Sequence, residues 1–572
     1  MTQSRSSLLS ASEAADLCLL LGLCCFLYFW KLGSLPFYER GEGREGLVIW
    51  EMIHSGNWIL PAVNGEYIPF KPPLFHWLAA LVSVLTGRLD EFVIRFPSAL
   101  MATSGVLLIY CTARRWWDRG AALAASVVLA TSFGWWQAAT IAQVDMVLSF
   151  FIGAALLLFY SLYRSEIDRK RKAIALAILL AFATLAKGPL GLAAPAIVIV
   201  SFLLVQRDLR FILRLPLLAG GLAYIAVAGL WYACAYAQGG WAFLQRQVVE
   251  ETVLTGVGEY GRNQPIYYYL PVIFYDLAPW SFFLPALASF LYQRRNTLAA
   301  DRLLYPLLWF VVTLGFYSLA RGKRGIYMLP VYPALALLFG AWWAKLAAGK
   351  EEWSAPARWL GWLYVIVCIT SAFGVGYYIA GGAEHLPVLT KKLHSVGVLE
   401  MSGADLLAMK YALVALLGLI VFLAWNLRRQ AWWPSFAAFA AIAILQLACV
   451  RAVYFPHFVA PRTFKPFVAK VSERVAPPVP LVFYHGFDAA VTFYSGRHIP
   501  EYEAARATLH LPYFLLMWEE DFQRIGQTNK LALIDISEGE GPALRHHLVL
   551  AQPTTSAALV ERANPAGKSK GE

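Results

Sequence analysis

Apolar residues in this chain come in blocks separated by short polar stretches, not at the spacing of a soluble core. Blocks near 14–33, 94–112, 120–138, 146–163, 173–186, 188–205, 213–236, 267–291, 303–319, 326–346, 358–379, 409–426 and 433–450 approach the length a helix needs to cross a bilayer. A further block, 73–86, is short and follows Pro72–Pro73. Basic residues gather between blocks, at Arg114–Arg119, Arg164–Lys172, Arg207–Arg214, Arg294–Arg302, Lys345–Arg358 and Arg428–Arg429. If 73–86 lies at the membrane surface, all of these fall on the cytoplasmic side. Counting it as a span inverts every one. The pattern therefore predicts about 13 spans, with the N-terminus inside and the C-terminus outside.

From about residue 460 the pattern changes. VFYHG, AVTFYSG, FLLMW, LALIDI and HHLVLA are short β-branched and aromatic runs separated by turn or helical stretches. They predict a small soluble α/β domain of roughly 100 residues on the outer face. The expected organisation is a transmembrane domain over 1–455 with its first outer loop at 34–93, the outer domain over 456–560, and a disordered tail at 561–572. The first apolar block lacks a small-residue cleavage site, so it is expected to be an uncleaved helix.

Composition agrees with a polytopic membrane protein: 59% of the 572 residues are hydrophobic and only 15% charged, with a mean hydropathy of +0.55. Trp and Tyr sit at block ends (Trp30, Trp116, Trp117, Trp135, Trp136, Tyr267, Tyr268, Tyr269), as in an interfacial belt. The net charge of +12 resides in short loops and reads as a topology signal, which sets nucleic acid aside. The seven Cys lie in or beside apolar blocks and form no disulfide framework. The histidines show no ligand spacing, so they indicate no metal site.

The chemistry concentrates in the first outer loop, which carries Glu39, Arg40, Glu42, Arg44, Glu45, Glu66 and Lys71. Ionisable groups at a membrane face are costly unless they pair, meet water or contact a charged ligand. Glu42 with Arg44 reads either as a general base with an orienting arginine or as the wet face of an interfacial helix. Asp145, at the outer end of an apolar block, is a functional acid, a helix N-cap, or both. Lys71 precedes two prolines that hold the backbone extended; it suits a lipid phosphate or simple snorkelling. Lys187, Arg246, Arg262, Arg321, Lys323 and Arg324 also fall outside, against the positive-inside bias, and binding phosphate is the simplest reason for that. Tyr327 lies one helical turn beyond Lys323.

The order of these features — charged first loop, FKPPLFHW, an outer Asp-Met, an AKGP turn, a polar loop ending in PIYYYLP, GKRGIYMLPVYP and a C-terminal outer domain — resembles the GT-C membrane glycosyltransferases. The resemblance is to the branch with lipid A aminoarabinose transferases and protein O-mannosyltransferase-like enzymes, and it is best over 14–350. It implies transfer of a sugar from a polyprenyl-phosphate carrier to a lipid, glycan or protein acceptor on the periplasmic face of a bacterial inner membrane. It also implies that Lys71, Lys323 and Arg324 contact polyprenyl phosphate with Tyr327 beside them, and that Asp145 falls on the family's second acidic position. Glu42, Asp145 and Arg44 are the expected catalytic residues, and Arg262 is expected to add positive charge for the carrier phosphate.

Three departures stand out. Gly41-Glu42 replaces the branch's Asp-Glu, Phe70 precedes Lys71 in place of Glu, and Arg262 stands where a histidine is expected. The last two positions are associated with a divalent metal in the branch, so no metal cofactor is expected here. A polyprenyl-linked glycan transporter and a non-catalytic envelope scaffold are the alternative readings.

Overall fold

The computed structural model describes residues 10–65, 68–254, 263–298, 301–349, 354–380, 401–505, 509, 512–542, 544 and 546–554. Within these, every expected apolar block is helical. In chain order the helices of the membrane body are α1 (Ala11–Phe29), α2 (Arg40–Ser55), α3 (Leu74–Thr86), α4 (Glu91–Trp116), α5 (Arg119–Thr131), α6 (Phe133–Ala139), α7 (Val144–Arg164), α8 (Arg169–Lys187) and α9 (Leu190–Val205). They continue with α10 (Leu217–Glu251), α11 (Ile266–Asp276), α12 (Trp280–Gln293), α13 (Leu304–Leu319), α14 (Gly325–Ala347), α15 (Ala355–Ile379), α16 (Gly403–Arg428) and α17 (Trp432–Arg462).

By length and composition 8 described helices qualify as spans, or 10 when α5–α6 and α11–α12 are each taken as one bent span, against the 13 expected. The other expected spans are helical but fall short for physical reasons. α8 opens with RKRK. α9 and α13 have 16 residues each, about 24 Å against a hydrocarbon core of about 30 Å.

Small residues let the central helices approach closely. α5 presents Ala121, Ala122, Ala124 and Ala125 as a buried face toward α14. A Cβ on Gly340 of α14 would lie 2.4 Å from the Ala121 carbonyl oxygen and 2.6 Å from the Ala125 Cβ. In lipid, where apolar burial gives helices little reason to associate, such close van der Waals packing is the main attraction between them.

α2 is enclosed on two sides. Glu42, Glu45, Ile49 and Met52 are buried, while Gly43 meets α18 (Ala489–Ser495) so closely that a Cβ would lie 2.7 Å from that of Ala490. It is therefore not a helix with a merely wet polar face.

The C-terminal region carries a four-stranded sheet of β1 (Leu481–Phe483), β2 (Phe514–Trp518), β3 (Leu531–Ile536) and β4 (Leu548–Pro553), in the order β1-β2-β4-β3. β1 and β2 are parallel; the other pairs are antiparallel. AVTFYSG is the helix α18 and no strand, because the Asp488 carboxylate accepts the Ala490 and Val491 N–H groups (2.9 and 3.0 Å) as an N-cap. The helix stops at Gly496 in the left-handed region (φ 64°).

The sheet region grips the segment between α1 and the start of α4. Lys465 Nζ lies 2.5 Å from Glu91, His498 Nε2 2.8 Å from Glu51, and the Phe37 N–H donates to the Tyr494 hydroxyl at 2.8 Å. α17 continues to Arg462, so the boundary expected at 455 falls inside a helix. The expected tail at 561–572 lies outside the described residues.

Candidate active site

Two kinds of charged site meet around α2, and the first is a closed one. Glu42 and Arg95 are both fully buried. Arg95 Nε and Nη2 donate to the two Glu42 oxygens at 2.7 and 3.1 Å. Its remaining N–H groups reach the carbonyls of Leu32, Leu35 and Pro36 at 2.7–3.1 Å. Glu42 also accepts the Ala142 N–H at 3.1 Å, three residues before Asp145. With both oxygens occupied, Glu42 ties α2 to α4 and to the loop that delivers Asp145.

One turn on, Glu45 takes Arg44 at 3.0 Å and His76 at 2.6 Å. Burial would raise the Glu45 pKa, but Arg44 and His76 outweigh it and hold the carboxyl down to about 2. Glu45 therefore stays ionised throughout the physiological range.

The second site opens into a cavity of about 400 Å³ lined by Lys71, Lys187, Glu251 and Tyr327 together with apolar Leu190, Phe316 and Leu319. Both lysines of its wall are paired, Lys71 with Glu251, which also lines the cavity, and Lys187 with Asp145. Each member comes from a different part of the chain. Lys71 sits in the extended segment before Pro72–Pro73, and Gln247 of α10 fixes it by donating to the Pro69 and Lys71 carbonyls (3.2 and 3.0 Å). Lys187 is the last residue of α8; Gly188, at φ 76°, turns the chain there. Gly191 then packs where a Cβ would lie 2.1 Å from the Ala183 carbonyl oxygen, so the α8–α9 corner admits no side chain.

The Lys187 ammonium also stands 4.4 Å from the Tyr327 ring centroid, a cation–π contact. Asp145 is in the first turn of α7, but the N-cap position is Gln143 and the Asp145 carboxylate goes to Lys187. Burial pushes the Lys71 pKa down to about 8, against the pull of Glu251 and with help from Lys187 and Arg44.

The other expected phosphate contacts lie elsewhere. Lys323 is buried and donates to the carbonyls of Gln264 (2.9 Å) and Ala320 (2.5 Å), fastening one loop to another. Arg324 lines a neighbouring polar cleft of about 230 Å³ with Glu39, Gln137, Gln143 and Asp276. Arg262 lies outside the described residues. Arg44, besides holding Glu45, lies 5.6 Å from the Phe70 ring centroid, and Arg246 stacks on that ring at 3.6 Å.

A divalent metal does not fit where the resemblance would put one. Phe70 offers no donor atom, two guanidiniums flank it, and no group of three or more His, Cys, Asp or Glu among the described residues has metal-site geometry.

Sequence reasoning named Lys71, Asp145 and Tyr327, grouped Lys187 and Arg246 with the outside cations that phosphate would explain, and assigned no role to Glu251 or Arg95. For Lys187 and Arg246 the signal was their position against the positive-inside bias. Glu251 had the pattern RQVVEE, in which Arg246 and Glu250 are spaced one helical turn apart and pair at 3.3 Å. That pattern marks the polar stretch after 236 as a continuing helix.

Comparison with known proteins places this architecture. Residues 70–232 match the family described as dolichyl-phosphate-mannose-protein mannosyltransferase. The undecaprenyl phosphate-alpha-4-amino-4-deoxy-L-arabinose arabinosyl transferase of Aeromonas hydrophila is 27% identical over 348 residues, covering 60% of this chain and 63% of that protein. The protein of the same name from Pectobacterium carotovorum is 28% identical over 425 residues, 73% of this chain and 72% of that one. The crystal structure of ArnT from Cupriavidus metallidurans bound to undecaprenyl phosphate superposes with a TM-score of 0.75 at 20% identity, covering 95% of this chain and 99% of that one. The chain is thus similar, over most of its length, to undecaprenyl-phosphate aminoarabinose transferases and shares the fold of ArnT, and residues 70–232 match the mannosyltransferase family.

Proposed function

We propose that this protein moves a sugar from a polyprenyl-phosphate carrier to a lipid or glycan acceptor, at the periplasmic face of a bacterial inner membrane. The observation that carries the reading is one apolar-walled cavity containing two lysines, each neutralised by a carboxylate that an incoming phosphate can displace. Leu190, Phe316 and Leu319 suit the first isoprene units, and Lys71 and Lys187 suit the phosphate.

Asp145 is the base in this reading. With Lys187 turned to the phosphate, Asp145 accepts the proton of the acceptor hydroxyl as its oxygen bonds to the sugar's anomeric carbon. The bond from that carbon to the phosphate oxygen breaks, and its electron pair leaves on the carrier phosphate. The two ammonium groups stabilise the developing charge in a site shielded from water. Glu42 positions the Asp145 loop through Ala142 and Arg95, and Arg44, beside Phe70, positions Glu45. The polar cleft with Glu39, Gln143 and Arg324 reaches the α7 N-terminus through Gln143 and suits the sugar and acceptor hydroxyls.

The test is transfer from a panel of radiolabelled polyprenyl-phosphate sugars by the purified protein, with and without EDTA, beside Asp145→Asn. Turnover that survives chelation and collapses in Asp145→Asn is the expected result. Loss on chelation with recovery on adding a divalent metal would overturn the metal-free reading. Tight carrier-lipid binding with no turnover from any donor would move the protein to the transporter or scaffold class.

A further inference from the structure

A second cavity, of about 440 Å³, lies at the opposite ends of α4 and α7 from Asp145. α7 has 21 residues, with Asp145 in its first turn and Arg164 in its last, so the two sites are about 30 Å apart along the helix. Three guanidiniums line this cavity: Arg115, Arg164 and Arg302. Arg302 is fixed by donating to the Arg115 and Trp116 carbonyls at the end of α4. That places its charge beside the last carbonyls of the helix, where a cation is favoured.

No carboxylate lines the cavity, and among the described residues none forms a salt bridge with Arg115, Arg164 or Arg302. The nearby acids are already engaged. Glu13 pairs with Arg114 at 3.4 Å, with Arg115 adding to its field, and Asp301 lies 4.0 Å from both Arg294 and Lys345. Thr112 and Ser161 add hydroxyls beside the arginines.

Away from the arginines the lining turns apolar, with Leu108, Ala154, Leu158 and Leu179. Arg115 lies seven residues beyond Leu108, and Arg164 ten beyond Ala154, so the apolar stretch runs about 10–15 Å below the charges. A cationic mouth over an apolar groove of that depth matches a phosphate followed by part of an acyl chain. Arginines without a carboxylate partner at a membrane boundary are favoured when a lipid phosphate accepts their forked hydrogen bonds.

We propose that this cavity binds a single anionic glycerophospholipid. Its phosphate lies among Arg115, Arg164 and Arg302, and one acyl chain runs along Leu108, Ala154, Leu158 and Leu179. The site is separate from the donor cavity and does not depend on the transferase reading.

The test is native mass spectrometry of the delipidated full-length protein titrated with short-chain phosphatidylglycerol, phosphatidylcholine or farnesyl phosphate. Three forms are compared: wild type, Arg115→Gln/Arg164→Gln, and a control with the same charge loss, Lys170→Gln/Arg210→Gln. The control removes basic residues that line no part of the cavity, at the start of α8 and in the turn after α9. Thermal unfolding of each shows that it is folded, and leaving Arg302 intact spares its contacts to α4. The expected result is one phosphatidylglycerol per chain. Its affinity falls at least tenfold in the arginine variant and changes less than twofold in the control, while phosphatidylcholine does not compete. Equal losses in both variants would reduce the arginines to general surface attraction and overturn the site. Binding of phosphatidylcholine as tight as phosphatidylglycerol would overturn the charge-based recognition. An arginine-dependent preference for farnesyl phosphate would overturn the choice of occupant.

Discussion

Glu42–Arg95 and Asp145–Lys187 are both buried pairs of a carboxylate with a cation, yet they sit in opposite situations. The first has neither partner exposed to any degree, and backbone groups take up the guanidinium's remaining donors. The second borders a cavity, beside a second pair of the same kind and an aromatic ring. A buried pair that is saturated cannot exchange partners; it holds elements together. A pair at a cavity wall has room for a third charge, so an arriving phosphate can divide it. Having a charge on α2 was therefore less informative than knowing how many of its hydrogen bonds were already used.

Breaking each pair in turn tests that contrast. The largest effect is expected from Asp145→Asn, which should lower transfer by about 10²–10⁴-fold, the range for losing a general base. Its melting temperature and carrier-lipid affinity should stay near wild type. A variant that keeps full turnover would remove Asp145 from the chemistry.

Arg95→Met should act on the fold instead. It leaves Glu42 charged and unpaired in the interior, at a cost of about 3–5 kcal/mol, read as a large drop in thermal stability of the detergent-solubilised protein. A stable Arg95→Met with impaired transfer alone would reverse the assignment of the two pairs.

Lys187→Met is expected to weaken carrier-phosphate binding about 10- to 150-fold, the equivalent of a charged hydrogen bond of about 1.5–3 kcal/mol. Titration of the carrier lipid by tryptophan fluorescence measures it.

A pH effect sharpens the role of Lys71. Its pKa is lowered to about 8 by burial, so its ammonium is present below that value and lost as pH rises through it. The donor KM should therefore climb above pH 8 in wild type and stay flat in Lys71→Arg, which remains charged. A wild-type KM that is level from pH 7 to 9 would contradict a phosphate contact by Lys71.

The smallest change is expected from Glu251→Gln. It removes the carboxylate that competes for Lys71, and should tighten carrier binding by a few-fold at most.

Much of the architecture was legible in the chain. The apolar blocks became helices, and 73–86 became the short α3. The runs after 480 became a sheet, apart from AVTFYSG, where the N-cap Asp488 overrode β-branched composition. The site was legible only in part. Lys71 was exposed by two prolines that prevent it from entering a helix, and Tyr327 by its distance from a cationic pair. Glu42 and Lys323 looked the same in sequence, as charged residues in outer loops, but one turns inward to Arg95 and the other to two carbonyls.

The sequence by itself determined where the chain enters lipid, because hydrophobicity and the placement of lysine and arginine act locally and add along the chain. It also set the expectation of which charges stand on the unfavoured side of the membrane. Only the tertiary structure decided which of those charges face a cavity and which are spent on the fold. Asp145 meets a lysine 42 residues away and Lys71 a glutamate 180 residues away. A charge's role depends on which partners reach it, and that is set by helix packing across the whole body of the protein.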